Sequence, residues 1–226
     1  MCSVTEIRNL TSNIFMQKNT KITVDTTTTE YSDQMIWEQF LHGDDEAYTY
    51  IYRQYSQALY AYGMHFTPDS GLVEDCIQEV FVKIYQNRKH LQTTDNIKLY
   101  LFIALKNNLF NVFRKDITYS QIDTIEPVFA AEYTIEDEII NNEKKQFLNE
   151  KMVRMLEILS PRQREVIYYR FVEGLSYEDI CQIMNMNYQS TQNLIQRSLK
   201  KLRSTFSKVE LQFVLLLLVN IRLGCS

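Results

Sequence analysis

The sequence predicts an all-α protein built as two small helical domains joined by an acidic linker, and three observations predict it. Glycine and proline amount to only 5 and 3 of 226 residues, well short of about 12% in an average chain. Sandwiches, barrels and propellers, which need a turn every ~8–12 residues, are therefore disfavoured. Apolar residues recur at helical spacing, as in Val73, Cys76, Ile77, Val80 and Ile84. The formal charge of -4 is also unevenly divided: residues 33–115 carry eight basic and ten acidic side chains, 116–150 two and nine, and 151–208 ten and five. Two helical blocks thus flank an acidic connector, and the basic excess sits late, where local surface charge counts for more than the total. Residues 1–32, with Thr26 to Thr29 in a row, have little to bury and read as a disordered tail. A start codon set too early, with Met16 or Met35 as rivals, would read the same way.

In the first block, helices are expected from Asp33 to Leu41, from Asp45 to about Phe66 behind an Asp44 cap, from Asp69 to Arg88, and from Ile97 to Lys115. The third buries its Val73 to Ile84 stripe. Its opposite face holds Asp75, Gln78, Glu79, Val82 and Tyr85, and a valine framed by acids and an amide suggests contact with a protein partner. The fourth buries Leu99, Phe102, Leu105, Leu109 and Phe113, with Ile103 and Phe110 less central. Its other side presents Tyr100, Asn107, Asn111 and Arg114, with Asn108 and Lys115 at the margin. Asparagine is a poor helix former, so three in one stripe hint that the amides are used. An aromatic to stack on bases, amides to read their edges and cations for phosphates suit a nucleic-acid strand being opened or held single. Lys106 points to the apolar side, where only snorkelling accounts for it.

In the second block, Ser160 can cap a helix, Pro161 suits its first position and Gln163 can close a capping box. Gly174 supplies a left-handed stop. Ser176, with Asp179 three residues on, opens a second helix that ends near Asn185, and the corner Asn185-Met186-Asn187 launches a third to about Phe206. Two helices around a short corner, followed by basic residues, form a helix-turn-helix pattern. At 100° per residue, Tyr188, Thr191, Ile195, Leu199 and Leu202 share one side of the third helix, and Gln189, Ser190, Asn193, Arg197 and Lys200 the other. Gln and Asn can bond adenine edges in pairs and Arg can do so for guanine, so the second face is the expected reader of the major groove.

Other chemistries find little support. No G-x-G-x-x-G or G-x-x-x-x-G-K-[ST] occurs. Cys2, Cys76, Cys181 and Cys225 lie far apart with no C-x-x-C, among the scattered His42, His65 and His90, so a metal site is not expected. No Ser-His-Asp, Cys-His or paired-carboxylate arrangement stands out; neither catalysis nor a cofactor is expected. The longest apolar run, Phe213 to Val219, has seven residues, against roughly 20 for a spanning helix. A cytoplasmic location with reduced thiols is the expectation.

Glu74-Asp75-Cys76-Ile77-Gln78-Glu79-Val80-Phe81 resembles the E-D-x-x-Q-E-x-F helix of RNA polymerase sigma factors of the extracytoplasmic-function group, a branch of the sigma-70 family. Tyr100-Leu101-Phe102 through Asn107 to Arg114-Lys115 resembles that family's helix for the minus-ten element. Leu159 to Arg203, with L-S-P-R-Q-R-E-V, E-G-L-S-Y-E-D-I and L-K-K-L-R, is similar to its domain for the minus-thirty-five element and the polymerase flap. The resemblance, over about residues 33–208, implies a region 2 domain at 33–115, a linker at 116–150 and a region 4 domain at 151–208. It implies docking on the clamp helices of the largest polymerase subunit through Asp75, Gln78, Glu79, Phe81, Val82 and Tyr85. Minus-ten contacts would fall to Tyr100, Asn107, Asn108, Asn111, Arg114 and Lys115, and minus-thirty-five contacts to Gln189, Ser190, Gln192, Asn193, Arg197 and Lys200. Core RNA polymerase, promoter DNA and an anti-sigma factor are the implied partners.

Two departures stand out. Gln192 replaces a cation the family often carries, and residues 209–226 add an apolar end where the family would stop. That end is expected to pack on the preceding domain or a partner, with peripheral membrane contact as the alternative. Two rival functions fit parts of the chain. A conventional helix-turn-helix regulator would leave Asp75, Gln78, Glu79, Phe81 and the Asn-Tyr stripe unexplained. A degenerate copy of a sigma factor would occupy polymerase without opening promoters.

Overall fold

A computed structural model describes residues 32–119, 129–130 and 156–206. The expected tail before Ser32, most of the expected linker and the C-terminal extension with its Phe213 to Val219 run lie outside the described residues. The chain divides into two compact units, Met1–Thr124 and Ile125–Ser226.

Among the described residues of the first unit there are four helices, each started by a side chain that accepts backbone N–H groups otherwise left unsatisfied. Helix α1, Asp33–Leu41, begins on Ser32, whose Oγ accepts from the Met35 N–H. Helix α2, Asp45–Met64, begins on Asp44, whose Oδ1 accepts from Glu46 and Ala47 at 2.8 and 3.2 Å. Helix α3, Ser70–Asn87, begins on Asp69 and leads into a single 3-10 turn, Arg88–His90. Helix α4, Ile97–Tyr119, is started by Asn96, whose Oδ1 accepts from Leu99 at 3.0 Å. The order and type of these elements match the sequence expectation. Helix α2 stops at Met64 rather than Phe66, and α4 runs four residues past Lys115.

Helices α2, α3 and α4 pack on one another pairwise, and α1 lies against α2 and α4. A Cβ at Gly63 would sit 2.5 Å from Val73 Cγ1, so glycine there lets α2 and α3 approach. Tyr62 of α2 stacks parallel on Phe102 of α4, ring centroids 4.4 Å apart. Asp33 ties three elements: one oxygen accepts from the Tyr55 hydroxyl of α2 at 2.8 Å, the other from the Ile97 N–H that opens α4 at 3.0 Å. The Trp37 indole donates to Gln92 O at 2.9 Å and locks the segment between α3 and α4.

The described helices of the second unit form a helix-turn-helix. Helix α5, Pro161–Ile167, opens with the expected reciprocal capping box between Ser160 and Gln163. It widens into a π-helical turn, Tyr168–Val172, that the sequence pattern does not announce. Gly174 then takes φ +67°, the left-handed conformation that glycine adopts without a Cβ clash. Helix α6, Tyr177–Met184, is boxed by Ser176 and Asp179 and ends at Asn185 with φ 49°. Helix α7, Tyr188–Thr205, starts on Asn187, whose Oδ1 accepts from Ser190 at 2.8 Å. Phe129, which the charge division places in the linker, is buried here: its ring lies 5.4 Å from that of Tyr168 and its carbonyl accepts from Arg164 Nη1 at 3.1 Å.

Candidate functional site

On α3 the core stripe is as expected, since Val73, Cys76, Ile77, Val80 and Ile84 are all buried. Two residues expected at the partner face are not on it. Phe81 is 0% exposed and packs its ring on Tyr52 at 4.6 Å. Val82 is 8% exposed. The physical reason is that α3 is flanked by both α2 and α4, so the arc it buries is wider than one stripe. Withdrawing a fully buried phenylalanine costs about 1.5–3 kcal/mol, so Phe81 belongs to the core of the domain and not to its exposed face.

The exposed side of α3 is polar. Asp75 and Glu79 are exposed and Gln78 is half-buried. Glu79 Oε1 pairs with Lys83 at 2.6 Å, and its side chain stays 48% exposed. The Lys83 bond, then the bond from Asn108, then the more distant Lys115 charge hold the Glu79 carboxyl below the usual range. Tyr85 is half-buried: its hydroxyl donates to Asp45 Oδ1 at 2.9 Å and Arg88 lies over its ring. Burial and this bond to Asp45 raise its phenol. Behind this face, burial and then the charges of Glu79 and Asp75 push the Cys76 thiol up to about 11, so it carries no nucleophilic thiolate near neutral pH.

On α4, Asn107, Asn111, Arg114 and Lys115 are exposed, as expected. Asn108 is not: it is 7% exposed, and its amide nitrogen donates to Cys76 O at 3.2 Å and Glu79 Oε2 at 3.0 Å. An amide with both hydrogens used within the protein is not a reader of bases. Tyr100 is half-buried against Trp37, centroids 5.0 Å apart, and burial raises its phenol. Lys106 extends over the Phe110 ring at 5.5 Å, which gives the inward-leaning cation a partner.

On α7, Gln189, Arg197 and Lys200 are exposed and Ser190, Gln192 and Asn193 are half-buried. Gln189 Nε2 donates to Asn193 Oδ1 at 3.1 Å, which aligns the two amides along one helix face. Ser190, Asn193 and Arg197 line an open cleft with Arg162 and Asn187. In the sequence those last two mark only a helix start and a corner. Their placement depends on α5 passing the start of α7, which no local pattern encodes. The opposite face buries Thr191, Ile195 and Leu202 as expected, together with Ser198, whose hydroxyl donates to Leu194 O at 2.7 Å. Tyr188, expected on that face, is 50% exposed and rests against Tyr177, centroids 5.6 Å apart. At the first position of α7 it projects beyond the packed turns.

Among the described residues no helix is long and apolar enough to cross a membrane, and no group of three or more His, Cys, Asp or Glu side chains is placed to hold a metal.

Comparison with known proteins matches residues 51–116 to the family model Sigma-70 region 2 and residues 149–202 to Sigma-70, region 4, together more than half of the chain. The RNA polymerase sigma factor YlaC of Bacillus subtilis (strain 168) is 22% identical over 160 residues, covering 70% of this chain and 91% of that protein. The ECF RNA polymerase sigma-E factor of Escherichia coli (strain K12) is 28% identical over 165 residues, covering 69% and 84%. Among solved structures, CnrH in complex with the cytosolic domain of CnrY aligns with a TM-score of 0.52 at 17% identity, over 76% of this chain and 96% of that one.

Proposed function

Since the chain belongs to the sigma-70 family of RNA polymerase sigma factors, in its extracytoplasmic-function group, we propose a division of labour among the three polar helix faces. A sigma factor binds core RNA polymerase and directs promoter-specific initiation, and each face serves one of those contacts. On α3, Asp75, Gln78 and Glu79 face the clamp helices, with Tyr85 at the edge. On α4, Asn107, Asn111, Arg114 and Lys115 hold the opened minus-ten strand, with Tyr100 offering one ring edge. On α7, Gln189, Ser190, Gln192, Asn193, Arg197 and Lys200 read the minus-thirty-five element, and Arg162 adds a cation at the cleft.

One observation carries the reading: Glu79, Asn111 and Arg197, one from each polar helix face, stay solvent-facing while their helical neighbours form the core. A conventional regulator has no use for the polar face of α3 and is not favoured beside the region 2 match. Neither domain needs high DNA affinity by itself, because a tether converts the second contact into an intramolecular one. The overall charge of -4 restrains binding to bulk DNA, where phosphate contacts dominate. An anti-sigma factor that masks these faces is the expected inhibitor. CnrH, with the same fold, was solved with the cytosolic domain of CnrY.

The deciding experiment is transcription in vitro: purified chain and core polymerase on genomic fragments, with start sites mapped. Defined start sites that appear only with the chain are expected. A chain that never forms an initiating complex overturns the reading.

A further inference from the structure

Asn108 sits where α3 and α4 meet, between the two faces just assigned to different partners. One amide hydrogen goes to the Cys76 carbonyl at 3.2 Å and the other to Glu79 Oε2 at 3.0 Å, both on α3. Glu79 keeps its other oxygen on Lys83 at 2.6 Å and remains accessible at the surface. The neighbours of Asn108 in sequence and along α4, Asn107 and Asn111, are exposed. One carboxylate therefore belongs to the polymerase face and also grips the helix that carries the promoter face.

Close by along the two helices, Cys76 and Val80 on α3 and Leu105 and Leu109 on α4 are all buried and apolar. A leucine would fill the position of Asn108 with similar shape, and asparagine is the poorer helix former. What the amide adds is a directional link: it fixes rotation and register of α4 against α3, which apolar packing specifies loosely.

We infer that Asn108 is a positioning residue that fixes the promoter-facing helix α4 to the polymerase-facing helix α3 through Glu79, so that the grip on polymerase sets the aim of Asn107, Asn111 and Arg114. The inference rests on the assignment of those two faces proposed above. Asn108 itself touches neither partner. A buried asparagine that served stability alone would affect every activity of the chain alike; a positioning residue affects the step that depends on aim.

The test compares the full-length chain with Asn108→Leu and Asn108→Ala, both of which remove the donor to Glu79. Core affinity is read by fluorescence anisotropy. Promoter opening is read from 2-aminopurine fluorescence at saturating holoenzyme, on a duplex promoter and on the same promoter premelted across the minus-ten element. The expected result is core affinity within about threefold of wild type, opening of the duplex slowed about tenfold or more, as misplacement on the ångström scale can do, and a distinctly smaller loss on the premelted template, where the strand need only be held. Duplex opening at the wild-type rate in both variants overturns the inference. So does an equal loss on both templates, the signature of a merely structural residue. Failure of the wild-type chain to bind core would instead strike the face assignments beneath it.

Discussion

His65 makes the first domain acid-sensitive, in a pH window that the structure fixes. The imidazole lies at the C-terminal end of α2, 5% exposed, and burial lowers its pKa from 6.5 to about 4. The neutral ring is favoured by the fold, so between these two values the unfolded chain takes up a proton that the folded chain refuses. Stability is then complete above about pH 6.5 and falls as pH drops towards 4, by 1.36 kcal/mol per unit of pKa difference. The whole window amounts to about 3 kcal/mol, of which about 2 kcal/mol is lost by pH 5. The single tryptophan, Trp37, is fully buried in the same domain and serves as its reporter. Urea unfolding followed by its fluorescence, at several pH values between about 7.5 and 5, should show wild type losing stability along this curve. His65→Gln, which cannot titrate there, should start less stable and stay nearly level. The depressed Glu79 carboxyl does not interfere, because its contribution is held above its ordinary value of 4.5 and lost only as pH falls through its lower folded value. Parallel curves for wild type and variant would refute the assignment of a neutral, desolvated His65.

Arg197→Ala should weaken binding to the upstream promoter element by about 1–3 kcal/mol, read by footprinting; an unchanged footprint would mean the wrong face of α7 was chosen. Glu79→Lys should abolish association with core polymerase while circular dichroism shows the helices intact, since it reverses an exposed charge beside Lys83 and Lys115; normal co-purification would count against the α3 assignment. Gly63→Ala should destabilise the first domain by about 1–3 kcal/mol, because its methyl group meets the buried, β-branched Val73 at 2.5 Å; equal urea midpoints would show that α2 and α3 separate at no cost. Replacing the acids between Asp116 and Glu150 by serine should lower transcription if that segment follows a basic polymerase channel; unchanged transcription would remove the channel from the account.

Most of the fold was legible because its signals are local. A capping box needs only Ser160 and Gln163 three apart, and Asn185 before Asn187 writes the corner of the helix-turn-helix, so those boundaries follow from sequence to within a residue or two. What escaped depends on neighbours that a single helix cannot display. Projection at 100° per residue separates one side of α3 from the other, yet α3 is covered by two helices, and Phe81 and Val82 fall inside the wider buried arc. Leu101, beside a tyrosine marked as exposed, is fully buried for the same reason. The π-helical turn at Tyr168–Val172 leaves no mark because one extra residue per turn changes no residue type.

The errors in the candidate site share a cause, and it bears on how such a surface should be read. Composition marks where polar atoms are; only packing shows whether they are already engaged. Asn108 and Asn111 are the same residue type on one helix, and sequence ranked them together as readers of DNA. One is engaged by Cys76 and Glu79 and the other faces solvent. Phe129 shows the converse: charge counting placed it in a solvated acidic stretch, but its ring is buried on the second domain, because charge runs record net polarity and not where an apolar residue finds a partner. The polar groups left available on α3, α4 and α7 are therefore fewer than the sequence counts. Those that remain, Asp75, Asn107, Asn111 and Arg197, are where substitution should alter binding without altering the core.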